Sequence, residues 1–261
     1  MTNPKKALGQ HFLSDPRILG RIAEALDPVP GETVLEIGPG LGGLTAQLVN
    51  RSTRLVTIER DFELIQPLRA RFPQVVVAEG DALELDWHAL VGDWPFSVIG
   101  NIPYNITSPL IDQALKPPRP RRVVFLMQKE VADRLAAPPG VSAYGALTVG
   151  VQSVAKVERL FNVAAGAFRP PPKVESSVVR LTPLAEPLIT DEEVPAFRRF
   201  VVGLFTLRRK QLGRSLRQLL GVTVEAARAL AASAGLDETV RMETVPPRVF
   251  VALFRAGRVQ G

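Results

Sequence analysis

The apolar run Phe96-Ser97-Val98-Ile99-Gly100 ends in Asn101-Ile102-Pro103-Tyr104, an amide, a proline and a tyrosine set directly after a strand-like stretch. That set suits an aromatic amine as the reacting group. Its lone pair is delocalised into the ring, so it is a poor nucleophile until hydrogen-bond acceptors hold its N–H groups. The amide oxygen of Asn101 and the carbonyl of Pro103 supply two acceptors, and the fixed φ of proline aims the second. Tyr104 offers a ring face for a stacked base, a contact worth about 1–3 kcal/mol. The plainer reading of these four residues alone is a loop with an Asx-turn and an incidental tyrosine.

Upstream, Gly38-Pro39-Gly40-Leu41-Gly42-Gly43 follows a strand-like Thr33 to Ile37 and precedes a helix-like Leu44 to Val49. This is the G-x-G-x-x-G pattern of a dinucleotide loop, although alone it is equally a turn for packing a helix on a strand. Glu59 stands about 20 positions further on, at the end of the next strand, where a ribose-hydroxyl partner is expected. Charge then selects among nucleosides. A dinucleotide brings its pyrophosphate to the helix N-terminus, and Glu36, two residues before Gly38, repels that anion. S-adenosylmethionine, with no phosphate and a cationic amino-acid end, suits Glu36-Ile37-Gly38-Pro39-Gly40 better than NAD does. Asp81, in Gly80-Asp81-Ala82 after a third strand, either accepts from an adenine amino group or simply caps a turn. With a sulfonium as leaving group the donor is already activated, so transfer needs alignment and electrostatics more than a strong base.

Such residues must be carried by a sheet. Leu55 to Ile58, Gln74 to Ala78, Phe96 to Ile99 and Val123 to Met127 read as further strands separated by helical patterns, including Phe62 to Arg71. That alternation predicts an α/β fold with a mostly parallel, doubly wound sheet, and ligands of such sheets bind at the carboxyl ends of the strands. Asp15 and Pro16 start a first helix with Ile18, Ile22 and Leu26 at helical spacing, and Pro28 and Pro30 stop it. Val154 to Phe161 and Ser176 to Leu181 read as strands that can pair as an antiparallel edge. Beyond Thr182 the pattern is helical, over Val194 to Leu220 and Val224 to Ala234. This predicts domains at 1–182 and 183–261.

The chain's 261 residues are 46% hydrophobic, enough for a sizeable core. There is no cysteine and there are only two histidines, which excludes disulfides, thiolate zinc sites and a cysteine nucleophile; no metal site is expected. No stretch matches a membrane span or a signal peptide, so a cytoplasmic protein is expected. The net charge of +6 is concentrated at the C-terminal end: residues 183–261 hold 12 Lys/Arg against 8 Asp/Glu. From Ala196 to Leu220 there are seven cations and no acid, with Phe197, Val201, Leu204 and Leu207 on one helical face. Arg208, Arg209, Lys210, Arg214 and Arg217 then face either an RNA backbone or only solvent.

An ordered set of motifs resembles the bacterial small-subunit rRNA adenine dimethyltransferases of the KsgA type over nearly the whole chain. It comprises Lys6-Ala7-Leu8-Gly9-Gln10-His11-Phe12-Leu13, Glu36 to Gly40, Asn101 to Asn105, Gln128-Lys129-Glu130-Val131, Phe168-Arg169-Pro170-Pro171-Pro172-Lys173-Val174-Glu175-Ser176 and Arg208-Arg209-Lys210. The resemblance implies a Rossmann-like, S-adenosylmethionine-dependent methyltransferase domain and a small all-helical C-terminal domain. It implies that His11 and Leu13 close over the cofactor, that Gly38 contacts its methionine part, with Gly40 also cofactor-binding, and that Glu59 takes its ribose and Asp81 with Ala82 its adenine. Asn101 would serve both cofactor and target amine, and Phe168 would be the wall opposite Tyr104. The implied substrate is a pair of adjacent adenosines in a 3′-terminal hairpin loop of 16S rRNA, dimethylated at N6 by a monomer acting on the small subunit. Two departures stand out: Ile102, where the family more often has leucine and resistance-type large-subunit methyltransferases can have isoleucine, and Gly213, expected to end a helix locally. A large-subunit target is therefore the alternative, with a non-catalytic RNA-binding factor and an NAD-dependent oxidoreductase further off.

Overall fold

The computed structural model describes residues 10–52, 54–93 and 95–259, so Lys6 to Gly9 of the first motif lie outside the described residues. In order, the elements are β1 (Phe12–Leu13), α1 (Pro16–Leu26), β2 (Thr33–Ile37), α2 (Gly43–Leu48), β3 (Arg54–Glu59), α3 (Phe62–Arg71), β4 (Val76–Glu79), α4 (Trp87–Val91), β5 (Phe96–Asn101) and α5 (Thr107–Ala114). There follow β6 (Val123–Gln128), α6 (Lys129–Ala136), α7 (Ala146–Gln152), β7 (Ala155–Val163), β8 (Phe168–Arg169), β9 (Ser176–Pro183), α8 (Val194–Thr206), α9 (Leu212–Leu220), α10 (Val224–Ser233) and α11 (Pro247–Val259).

The main sheet has the order β4-β3-β2-β5-β6-β9-β7. From β4 to β6 the neighbours are parallel, and β9 runs antiparallel to β6. The expected doubly wound sheet is thus present, and β7 lies beside β9 at one edge. Every residue of the central strand β2 is buried, as a parallel strand covered on both faces requires. Asp15 caps α1 by accepting from the backbone N–H groups of Arg17 at 2.8 Å and Ile18 at 3.3 Å, Pro16 takes the first turn, and Leu19, Ile22, Ala23 and Leu26 form the buried face. The helix ends at Asp27, whose φ of 51° is left-handed, one residue before Pro28. At the opposite edge from the motifs, buried Glu32 takes Arg121 on both carboxylate oxygens, each at 3.0 Å, and the Ser97 hydroxyl as well, joining β5 to the turn before β2.

One compact unit consists of Met1–Ala132 and Glu158–Pro183, the other of Asp133–Val157 and Leu184–Gly261. The stretch 133–157, placed by sequence pattern with the sheet, groups instead with the helices. Two of its contacts explain why: the Tyr144 hydroxyl donates to the Val245 carbonyl at 2.7 Å, and the Gly140 N–H donates to the Glu243 carbonyl at 2.7 Å. Helices α6, α7 and α11 were not legible from pattern alone.

Gly213 corrects an expectation. It does not end a helix; it is buried inside α9, and the break comes earlier, between Thr206 and Leu212. Its N–H donates to the Glu238 carbonyl at 2.8 Å, and a Cβ there would stand 3.0 Å from the Glu238 side chain. The close approach to Glu238 is set against a helix propensity cost of about 1 kcal/mol for glycine.

Candidate functional site

The carboxyl ends of β2, β3, β4 and β5 open onto one cavity of about 860 Å³, a volume in the ordinary range for a small-molecule site. Its floor is the turn after β2. Gly40 and Gly42 sit at φ 57° and 75°, a region that L side chains rarely adopt, and a Cβ on Gly40 would stand 2.9 Å from the Phe12 ring. The turn is tied to β3: the Gly40 N–H donates to Glu59 Oε2 at 3.0 Å, and Glu59 Oε1 accepts from the Asp61 N–H at 2.7 Å. Gln10 Nε2 in turn donates to Asp61 at 2.8 Å. Burial pushes the pKa of Glu59 up, against the pull of its backbone donors.

Glu36 is more deeply placed, 1% exposed, with Oε2 accepting from the Thr45 hydroxyl at 2.7 Å. Burial, with Glu59 as a neighbouring like charge, raises its pKa to about 8. The ligand-free carboxyl is therefore mostly protonated at neutral pH. This amends the charge argument drawn from sequence: Glu36 is not a standing anion that repels phosphate but a proton-holding group that becomes one when a cation enters.

Asn101 ends β5. Its Nδ2 donates to the His11 carbonyl at 2.8 Å, which turns Oδ1 away from that contact as a free acceptor. His11 is itself anchored, with Nδ1 2.8 Å from the Pro170 carbonyl and its ring stacked on Tyr104 at 5.7 Å between centroids. The Tyr104 hydroxyl meets the Ser176 hydroxyl at 2.7 Å, and burial raises its pKa, so the phenol stays protonated. Pro103 follows with φ −59° and ψ 136°, and its carbonyl accepts from the Thr107 hydroxyl at 3.2 Å and the Ile106 N–H at 3.3 Å. Both bonds are at the long end of the range, so an entering amine would compete with weak partners. Ile102 is 1% exposed and lines the cavity between Asn101 and Pro103.

His11, Leu13, Gly38, Gly40, Glu59, Asp81, Ala82, Asn101, Pro103 and Tyr104 all line this cavity. Phe168 does not, which corrects the expectation of a second wall. Strand β1 pairs with β8 antiparallel in the register Phe12↔Arg169 and Leu13↔Phe168, and opposed residues share a face while successive ones alternate. Leu13 and Phe168 both belong to the core cluster, but Leu13 also reaches the cavity whereas Phe168 is 1% exposed. Asp81 caps a turn, Oδ1 accepting from the Leu83 N–H at 2.9 Å, while Oδ2 pairs with Arg60 at 3.0 Å on the cavity wall. Thr45, Ser176 and Gln10 were given no site role from sequence, the last two only a place in a motif, because their partners Glu36, Tyr104 and Asp61 are set by the fold.

In the helical unit the basic cluster divides. Arg208 is tied to Glu243 at 3.1 Å and to the Ser142 carbonyl at 2.8 Å, a structural clamp rather than an open cation, and Lys210 donates to Gln218 at 2.7 Å. Arg209, Arg214 and Arg217 are exposed, with Leu212, Ser215 and Leu216 of α9 buried opposite. Among the described residues no group of histidines and carboxylates could hold a metal, and no described helix is long and apolar enough to cross a membrane.

Comparison with known proteins gives a consistent picture. The family description "Ribosomal RNA adenine dimethylase" matches residues 1–256. Proteins named ribosomal RNA small subunit methyltransferase A are 42% identical over 252 residues in Aromatoleum aromaticum, covering 95% of this chain and 92% of that one, and 43% identical over 254 residues in Laribacter hongkongensis, covering 96% and 94%. A dimethyladenosine transferase from Plasmodium falciparum superposes with a TM-score of 0.80 at 27% identity, over 93% of this chain and 96% of that one. The 23S rRNA methyltransferase ErmE superposes with a TM-score of 0.75 at 29% identity, over 94% and 98%.

Proposed function

The chain belongs to the ribosomal RNA adenine dimethylase family, and we propose that it transfers methyl groups from S-adenosylmethionine to N6 of two adjacent adenosines in the 3′-terminal hairpin loop of 16S rRNA, acting as a cytoplasmic monomer during ribosome biogenesis. Identities of 42–43% to small-subunit methyltransferases against 29% to ErmE favour the small subunit over a large-subunit target. The observation that carries the chemistry is the Asn101 amide, oriented by the His11 carbonyl at 2.8 Å, in the same cavity as Glu36, Glu59 and the glycine turn.

The wall fits a cationic nucleoside. Two buried carboxyls and a turn with close backbone access match a cofactor that supplies an activated methyl group. Glu59, with two oxygens each able to accept again, would take the ribose hydroxyls. Asp81 and Ala82 would border the adenine, the Gly38 to Gly40 backbone the methionine part, and His11 and Leu13 the open side. Asn101 Oδ1 and the Pro103 carbonyl would accept from the target N–H groups, holding the nitrogen lone pair toward the methyl group, while Tyr104 supports the ring. No residue needs to act as a strong base, since the amine sheds its proton after methylation. The sheet unit, close to the expected 1–182 but without 133–157, would be the catalytic domain and the helical unit, 133–157 with 184–261, the RNA-binding one, with Arg209, Arg214 and Arg217 as phosphate contacts; Arg208 and Lys210 would contribute less.

The test is to incubate the protein with labelled S-adenosylmethionine and undermethylated small subunits or, separately, large subunits, and to map modified nucleosides by mass spectrometry. Dimethyladenosine in 16S rRNA is expected. Label confined to large-subunit RNA would overturn the reading.

A further inference from the structure

Three arginines stand on the cavity wall, Arg60, Arg71 and Arg169. Two are engaged. Arg60 pairs with Asp81 at 3.0 Å, and Arg71 donates to the Leu41 carbonyl at 3.0 Å with its guanidinium 4.9 Å from the Phe72 ring centre. Arg169, among the described residues, has no ion pair or side-chain hydrogen bond, and it is exposed.

Its position in β8 decides where it stands. Arg169 pairs with Phe12, lines the cavity and is exposed, while its neighbour Phe168 is buried in the core. Pro170, the next residue, accepts from His11, whose ring lies on Tyr104 and whose carbonyl holds Asn101. Arg169 is therefore at the β5 end of the carboxyl edge. The Arg60–Asp81 pair lies at the β4 end, with β3 and β2 in between. The carboxyls of the wall already have donors: Glu36 has Thr45, Glu59 has Gly40 and Asp61, and Asp81 has Leu83 and Arg60. No wall carboxylate claims Arg169.

We propose that Arg169 binds a phosphate flanking the target adenosine, fixing the nucleotide at the mouth while its base lies on Tyr104. This rests on the reading of the substrate as an adenosine of a folded RNA. Such a base reaches an enclosed acceptor only when it leaves its stack, which brings the sugar-phosphate to the rim. A solvent-facing guanidinium without a partner matches a phosphodiester monoanion in charge and in its forked donors. The contact lies in the sheet unit and is separate from the basic residues of α9.

The experiment measures steady-state methylation of undermethylated small subunits by wild type, Arg169→Ala and Arg169→Lys, with S-adenosylmethionine affinity by calorimetry and binding of 3′-terminal 16S hairpin RNA across a salt series. Arg169→Ala is expected to raise the RNA KM about 10-fold with kcat and cofactor affinity retained and with a shallower salt dependence of RNA binding, by about one phosphate contact. Arg169→Lys should recover most of the loss. An unchanged KM and salt slope, or a loss confined to kcat or cofactor affinity, would overturn the proposal. If wild type methylates no small-subunit RNA, the substrate reading fails; unequal hairpin binding by wild type and Arg169→Ala still registers the phosphate contact.

Discussion

The side-chain amide of Asn101 donates to the backbone carbonyl of His11 at 2.8 Å, across 90 positions of sequence. One hydrogen bond thus couples the residue at the end of β5 to the segment before β1. The amide group has a single orientation as long as that segment is in place, and the orientation leaves Oδ1 to accept.

Replacing Asn101 by Ala removes the acceptor and frees the His11 carbonyl. Methyl transfer should fall by about 100-fold or more in kcat, the scale seen when one preorganised polar group is removed from a reacting centre. Binding of rRNA should be largely retained. Comparable turnover in the variant, measured by incorporation of labelled methyl groups, would remove Asn101 from the chemistry.

Glu36 carries a pH signature. Its folded pKa of about 8 lies above the ordinary 4.5, so between these values the folded state holds a proton that the unfolded state has released. Stability contributed at this site is present below pH 4.5 and is lost as pH rises toward 8, with a slope of at most about 1.4 kcal/mol per pH unit. Glu36→Gln should flatten that decline in chemical denaturation across pH 5 to 9. Binding of S-adenosylmethionine by the wild-type protein near pH 7 should also release a proton, seen as a dependence of calorimetric enthalpy on buffer ionisation. The Gln variant should show none.

The Tyr104–Ser176 hydroxyl pair, 2.7 Å apart, sets the plane of the ring. Ser176→Ala and Tyr104→Phe should each reduce kcat/KM about 5-fold, the scale of one hydrogen bond, and the double variant should be no worse than either single one. Additive losses would mean that the two residues act separately. Tyr104→Ala, which deletes the platform, should cost more.

Gly213→Ala tests the close approach of α9 to Glu238. Helix propensity alone predicts stabilisation, whereas the 3.0 Å contact predicts a loss of about 1–3 kcal/mol from overpacking. A denaturant midpoint above that of wild type would show that Glu238 yields freely.

Much of the fold was legible. Strands β2 to β6 were readable because buried parallel strands are short apolar runs with few other interpretations, and α1 because Asp15, Pro16 and Pro28 mark its ends chemically. The glycine turn, Glu59 and Asp81 were legible because each occupies a fixed step of a strand–turn–helix unit. Helices α6, α7 and α11 were not, since residues 133–157 join the helical unit through contacts such as Tyr144 with Val245, about a hundred positions away.

The sequence by itself determined the sheet, the cofactor edge and the candidate chemistry, because these depend on local periodicity and on residues a few positions apart. Tertiary structure decided what each side chain faces. Packing buried Phe168 in the core and left Arg169 exposed at the cavity, Glu243 drew Arg208 out of the basic face, and burial converted Glu36 from an anion into a proton carrier. Pattern assigns a residue to an element. Only long-range pairing and desolvation assign it a partner and a charge.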